Sequence, residues 1–182
     1  FNNAGLLTDQ AYYSEQGNEM QFEVNALAPY LLTKALTPIL AKAETPFVVS
    51  TATSNLHSQK DIDIAELKRP TKFVKLMGSY VKSKAALVAL MNALAKEFPN
   101  LRIVSVDPGS NKTKMTKGSG MPKWLLPIRN LFFQSADKGA RLIYQVAFNQ
   151  EFQSQSGIYV SGGKVKEMKV ALTQAEIDQM IS

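Results

Sequence analysis

Apolar positions along the chain follow two recurring patterns. Between residues 18 and 42, Met20, Phe22, Val24, Leu27, Leu31, Leu32, Ala35, Leu36, Ile39 and Leu40 return at helical spacing and predict one long helix with a wide apolar stripe. Pro29 and Pro38 fall inside that stripe, so a kink or break is expected near each, because proline removes an internal hydrogen bond. A second helix is predicted from Tyr80, through Ala85, Leu87, Val88, Leu90, Met91, Leu94 and Ala95, until Phe98-Pro99-Asn100 ends it. A third spans Ser135 to Phe148, with Ser135 as N-cap and Asp137 in the first turn. Between these lie short, continuously apolar runs: Phe47-Val48-Val49, Leu101 to Val106, and Gly157 to Val160 as a final strand. Continuous apolarity rather than alternation predicts strands buried on both faces of a parallel sheet. The tail carries a capping box, Thr173 with Glu176. Alternating helix and strand predict a single α/β domain over residues 1–182, with about three complete strands, few for an open doubly wound sheet.

Composition narrows the function classes. With 45% apolar and 20% charged residues the 182-residue chain is globular, which excludes whole-chain disorder. No stretch of 18 residues is continuously apolar, so no membrane-spanning segment is expected. The net charge of +6 suits acidic partners: nucleic acid, an anionic membrane or a phosphorylated cofactor. The basic residues are dispersed, however. The densest cluster, Lys112, Lys114, Lys117 and Lys123, is interrupted by Gly, Ser and Pro, and no RNP motif, zinc finger or long basic helix is present. A nucleic-acid partner is therefore not expected. The absence of Cys rules out disulfides and thiolate metal sites, and a lone His rules out a His-rich one. These features, with no visible signal peptide, give an intracellular, cytoplasmic reading that leaves membrane-surface association open.

The sharpest local chemistry is Tyr80-Val81-Lys82-Ser83-Lys84. Helix geometry puts Tyr80 and Lys84 on one face and turns Lys82 away. A phenol ionises near pH 10, so acid–base work at neutral pH needs a shift of about 3 units, or roughly 4 kcal/mol. One ammonium about 4 Å from the phenolate supplies roughly 4 kcal/mol at an effective dielectric of about 20. Burial alone pushes the phenol the wrong way.

Four segments surround this pair with further motifs: Asn2-Asn3-Ala4-Gly5; Glu23-Val24-Asn25-Ala26 followed by Leu32-Thr33; Val48-Val49-Ser50-Thr51-Ala52-Thr53-Ser54-Asn55-Leu56-His57; and Asp107-Pro108-Gly109 with Thr113. In order and approximate spacing the chain resembles the short-chain dehydrogenase/reductase family, in the branch that looks like retinol dehydrogenases and related carbonyl reductases. The resemblance implies a Rossmann-like doubly wound parallel sheet. It implies hydride transfer between NAD(P)(H) and a carbonyl or alcohol, NADP being favoured over NAD. Tyr80 would be the acid–base catalyst. Lys84 would lower its pKa and hold the nicotinamide ribose, and Asn25 would anchor a relay water, or else be a helix Asn bonded to backbone. Asn3, Ala4, Gly5, Pro108, Gly109 and Thr113 would border the cofactor, Thr113 being alternatively a plain loop threonine. The serine that binds the substrate oxygen would be Ser54, with Ser50 as rival. Thr53 and Thr51 stand where the family's pattern has Ser and Asn. Ser54 precedes Tyr80 by 26 residues, a long interval that the retinol-dehydrogenase-like branch shares. His57 beside Ser54 suggests a hydrolase, but no G-x-S-x-G elbow accompanies it, so it is read as a structural loop residue.

Residues 115–134 would form a substrate-side lid in which Trp124, Leu125, Leu126, Leu131, Phe132 and Phe133 line an apolar substrate pocket, touch a membrane surface or pack in the core. The family's Gly-rich phosphate turn, T-G-x-x-x-G-x-G, is not among these residues, nor is the residue that selects NAD or NADP. The expectation is thus the C-terminal, catalytic and substrate-binding part of the fold, cut within a turn at Phe1, with the sheet edge there unpaired. By itself it would be inactive and bind NAD(P)H poorly. A homodimer through the two long helices is the oligomer the resemblance implies. A non-catalytic relative with a binding, regulatory or assembly role is the alternative reading.

Overall fold

The computed structural model describes every residue except Asn55, His57 and Ser58. The predicted apolar runs form the strands β1 (Phe47–Thr51) and β2 (Arg102–Asp107), which pair in parallel, Val48 opposite Ile103 and Val49 opposite Val104. Successive side chains alternate between faces. Val48 and Ile103 join one core with Phe22, Leu27, Tyr30 and Leu90, whereas Val49, Val104 and Val106 join another with Val146, Ala147 and Val160. Each face therefore needs its own helical cover, which explains why the runs are apolar throughout.

The first face is covered by α1 (Met20–Phe22), α2 (Ala28–Leu40) and α4 (Ser79–Glu97), with the short α3 (Ile64–Lys68) beside them. The helix expected over 18–42 runs from Met20 to Leu40, but Glu23–Leu27 winds as a π-helix. Pro29 explains the location: it has no N–H to return to Asn25 in the α register. Pro38 lies within α2 without ending it. After two short strands, β3 (Asn111–Lys112) and β4 (Gln134–Ser135), joined by α5 (Leu126–Phe132), the chain enters α6 (Ala136–Phe148), which covers the second face. Ser135 occupies the N-cap position of α6, yet its side chain makes no capping hydrogen bond.

A short α7 (Gln150–Gln153) leads to β5 (Ile158–Ser161), which pairs in parallel with β2. It is not the final strand. Gly162 and Gly163, at φ of 61° and 73°, turn the chain into β6 (Lys164–Lys166), antiparallel to β5. Positive φ at both central residues is the turn geometry that two-residue hairpins favour, and glycine adopts it without strain. The sheet order is β1-β2-β5-β6, and the outer edge of β1 receives Asn2 in an isolated parallel bridge to Ser50. The edge expected to be unpaired is thus met by Asn2, whose N–H donates to the Val49 carbonyl and whose carbonyl accepts from Thr51. The chain ends in α8 (Gln174–Ile181), where the Thr173–Glu176 capping box forms as predicted. No helix among the described residues is long and apolar enough to cross a membrane.

Candidate active site

The carboxyl ends of β1 and β2, the first turns of α4 and the N-terminal segment converge on one cavity of about 690 Å³. This is where open α/β sheets hold their ligands. Tyr80 and Lys84, one helical turn apart, both line it and are buried, 7% and 3% exposed. Asn3, Gly5, Ser54, Pro108, Gly109 and Thr113 also line it, so most of the residues singled out by sequence come together. Three do not. Ala4 lies outside the lining, and Ser50 is fully buried within β1, where its hydroxyl accepts from Asn2 Nδ2 at 3.1 Å. Asn25 lies behind the cavity. Its Oδ1 accepts the Leu6 N–H at 2.7 Å, and its Nδ2 donates to the Leu6 carbonyl at 2.9 Å and to Ser83 Oγ at 3.0 Å. Through these bonds the side chain straps the Gly5–Leu6 turn to α4. The catalytic-looking His57 lies outside the described residues, as does Asn55.

The electrostatics differ from the expected lowering of Tyr80 by Lys84. Burial pushes the Tyr80 phenol up to about 12; the Thr53 side chain pulls it down a little, and the Asp107 carboxylate adds to the rise. Burial likewise lowers Lys84 to about 8. The Lys84 ammonium is turned to the Thr51 carbonyl at 2.7 Å, at the end of β1. Thr53, noted in the sequence only as a departure from the Ser-Ser pattern, stands here with Ser54. It lines the cavity, interacts with the phenol, and its backbone carbonyl accepts a 2.6 Å hydrogen bond from Tyr159 of β5. Its signal in the sequence is its place beside Ser54, where the resembled family has a Ser-Ser pair. Asp107, at the end of β2, accepts from the Gly109 N–H and from Ser161 Oγ, both at 2.8 Å, and so fixes the Pro108-Gly109 turn on the far wall.

The lowered Lys84 makes a stability prediction. Folded Lys84 releases its proton near pH 8, whereas in the unfolded chain it does so near 10.5. Between those values the unfolded chain binds more protons, so this lysine's share of stability rises with pH. The stability difference between wild type and Lys84→Met is therefore expected to shift in favour of wild type from pH 8 to 10. Denaturant unfolding at successive pH values measures this, and a difference that stays flat contradicts it.

Lid residues divide between cavity and surface. Leu125 and Phe133 line the cavity with Leu7, Leu76, Met115 and Met121, whereas Trp124, Leu131 and Phe132 are 69%, 75% and 74% exposed. One polar atom in the wall is unclaimed: among the described residues the buried Oδ1 of Asn111 has no hydrogen-bond partner, although its Nδ2 donates to the Pro108 and Gly109 carbonyls. A buried acceptor without a donor is costly. The amide end of Asn111 is packed against Gly139 of α6, and the cavity beside it is large enough for the nicotinamide end of a dinucleotide.

No family model matches the chain. Retinol dehydrogenase 14 of Homo sapiens is 30% identical over 173 residues, covering 92% of this chain and 51% of that protein. The chain thus spans about half the length of that relative. Among solved structures, the NADPH-bound carbonyl reductase from chicken fatty liver superposes with a TM-score of 0.63 at 22% identity, over 91% of this chain and 63% of that one. The 3-ketoacyl-(acyl-carrier-protein) reductase from Brucella melitensis, complexed with NADH, gives 0.59 at 20% identity, over 89% and 64%. In sequence the chain is similar to the retinol dehydrogenases and to other short-chain dehydrogenases/reductases, and it shares their fold.

Proposed function

We propose that this chain is the catalytic and substrate-binding part of an NAD(P)-dependent oxidoreductase that moves a hydride between the nicotinamide and a carbonyl or alcohol, written below in the reducing direction. The observation that carries the reading is a Tyr80 phenol buried in the cavity and held protonated, with Lys84 one turn behind it and the Thr53 hydroxyl beside it. A phenol pushed up to about 12 carries its proton throughout the physiological range and is suited to give it to a carbonyl oxygen. The relatives' printed names, a retinol dehydrogenase and a carbonyl reductase bound to NADPH, support the same chemistry.

A nicotinamide cofactor, when bound, supplies the hydride. The remaining steps fall to the chain's own residues. Thr53, with Ser54 beside it in the wall, hydrogen-bonds the carbonyl oxygen as negative charge develops on it. Tyr80 then delivers its proton to that oxygen, and the positive charge of Lys84 stabilises the phenolate left behind. Apolar Leu76, Met115, Met121 and Phe133 keep water away and favour an apolar substrate body. Asn3, Gly5, Pro108, Gly109 and Thr113 are the residues proposed to border the nicotinamide. NADP is the form the family resemblance favours. The Gly-rich phosphate turn is not among these residues, and we expect the 182 residues alone to hold the cofactor weakly. A homodimer would use the face of α2 on which Leu31, Leu32, Leu36 and Ile39 are exposed.

The experiment is NAD(P)H consumption with a panel of ketones and aldehydes, on the protein as the cell makes it. Thr53→Val is expected to lower kcat by about 10²-fold and Ser54→Ala by less than about 5-fold, since loss of one oxygen-stabilising donor costs about 10²–10³. The reverse ranking returns the substrate hydroxyl to Ser54. No NAD(P)H consumption with any carbonyl, or undiminished turnover in both variants, counts against the reading.

A further inference from the structure

We propose that a basic hollow beside the main cavity binds an anionic group, a phosphate or carboxylate, carried by the ligand that occupies that cavity. The hollow is walled by Lys112, Thr113, Lys114, Lys117, Arg129 and Asn130, and Thr113 also lines the main cavity, so one ligand can reach both.

Arg129 is the observation that carries the proposal. It lies on α5 and is only 4% exposed. Its guanidinium donates from Nε to Thr116 Oγ1 at 3.0 Å, from Nη1 to Asn130 Oδ1 at 3.0 Å and from Nη2 to the Thr113 carbonyl at 3.5 Å. All three acceptors are neutral. The one ion pair among the described residues is elsewhere, between Lys34 and Glu97. A buried guanidinium without a counter-ion is costly unless an anion completes it, and its planar fork suits phosphate and carboxylate oxygens.

The surrounding sequence sharpens this. From Pro108 to Ala136 the chain carries Lys112, Lys114, Lys117, Lys123 and Arg129 and not one Asp or Glu. Those five cations account for most of the net charge of +6. Lys112, Lys114 and Lys117 are solvent-exposed around the buried Arg129, an arrangement that attracts an anion and then grips it at a fixed point. The apolar cavity next door implies a ligand that is apolar at its reacting end and negatively charged at the other, or else a cofactor phosphate reaching past Thr113.

Inorganic phosphate is the probe, titrated into the protein at constant ionic strength. Trp124, the sole tryptophan, stands between the lysines and α5 and reports by fluorescence, with phosphorus NMR line broadening as a second readout. We expect saturable binding at millimolar concentration or below. Lys114→Gln combined with Lys117→Gln should weaken it at least tenfold without shifting the thermal midpoint. Arg129→Lys, which keeps the charge and loses the fork, should weaken it as well. Absence of saturable binding by both readouts, or binding that the double lysine variant leaves unchanged, overturns the proposal. Loss of the phosphate response in the presence of saturating NADPH assigns the anion to the cofactor, and its persistence assigns it to the substrate. Phosphate binding needs no turnover, so the outcome is independent of the hydride-transfer reading.

Discussion

Tyr80→Phe is expected to lower kcat for carbonyl reduction by about 10³-fold while leaving the fold and the thermal midpoint nearly unchanged. The substitution removes one oxygen from a side chain whose ring is packed with Ala52, Leu56, Val81 and Ala85, and that packing survives in Phe. What it removes is, among the described residues, the only proton donor in the cavity that is both buried and one helical turn from a lysine. The phenol is held up near 12 chiefly by burial. It is consequently a weak acid until charge develops on the substrate oxygen, and the transition state is where its hydrogen bond strengthens. Kinetics and a thermal melt of the same preparation separate chemistry from folding. A variant with wild-type kcat removes Tyr80 from the mechanism, and a variant that has merely unfolded is recognised by its melt.

The largest stability effect is expected at Asn25. Asn25→Leu keeps the volume close to that of the native side chain but removes the acceptor for the Leu6 N–H and the donor for the Leu6 carbonyl and Ser83 Oγ. Asn25 itself is completely buried. Each polar group left without a partner costs roughly 1–3 kcal/mol, giving a total near 4 kcal/mol. For a chain of this length that corresponds to a fall in thermal midpoint of about 10 °C. The same loss loosens the turn at Gly5, which forms one wall of the cavity, so kcat should fall too. A melt within about 2 °C of wild type contradicts the strap.

The elements with strong periodicity were legible in the sequence because their pattern has one physical cause. Val48 and Val49 are consecutive and apolar because each faces a different helical layer. Tyr80 and Lys84 share a helix face by spacing alone. The features that could not be read depend on partners far away in sequence. The Thr53 segment is tied to Tyr159, 106 positions later, and nothing local distinguishes Thr53 from Ser54. The bond from the Lys84 ammonium to the Thr51 carbonyl is likewise invisible to helical spacing, because its partner lies 33 positions earlier. Asn25 reads locally as a helix residue, whereas its partners are Leu6 and Ser83. Strand β6, Lys-Val-Lys, is an exposed edge with no apolar run to announce it, and only Gly162-Gly163 marks its turn.

The central claim is that hydride passes from a nicotinamide to a carbonyl carbon in the cavity that holds Tyr80. Its most direct test follows the hydrogen itself. NAD(P)H carrying deuterium at the transferable position is supplied with the carbonyl that supports the fastest NAD(P)H consumption, and the alcohol product is examined by mass spectrometry. The account predicts one deuterium on the carbinol carbon with the wild-type protein and almost no labelled alcohol with Tyr80→Phe. An alcohol formed without deuterium, or labelled equally well by Tyr80→Phe, would contradict it.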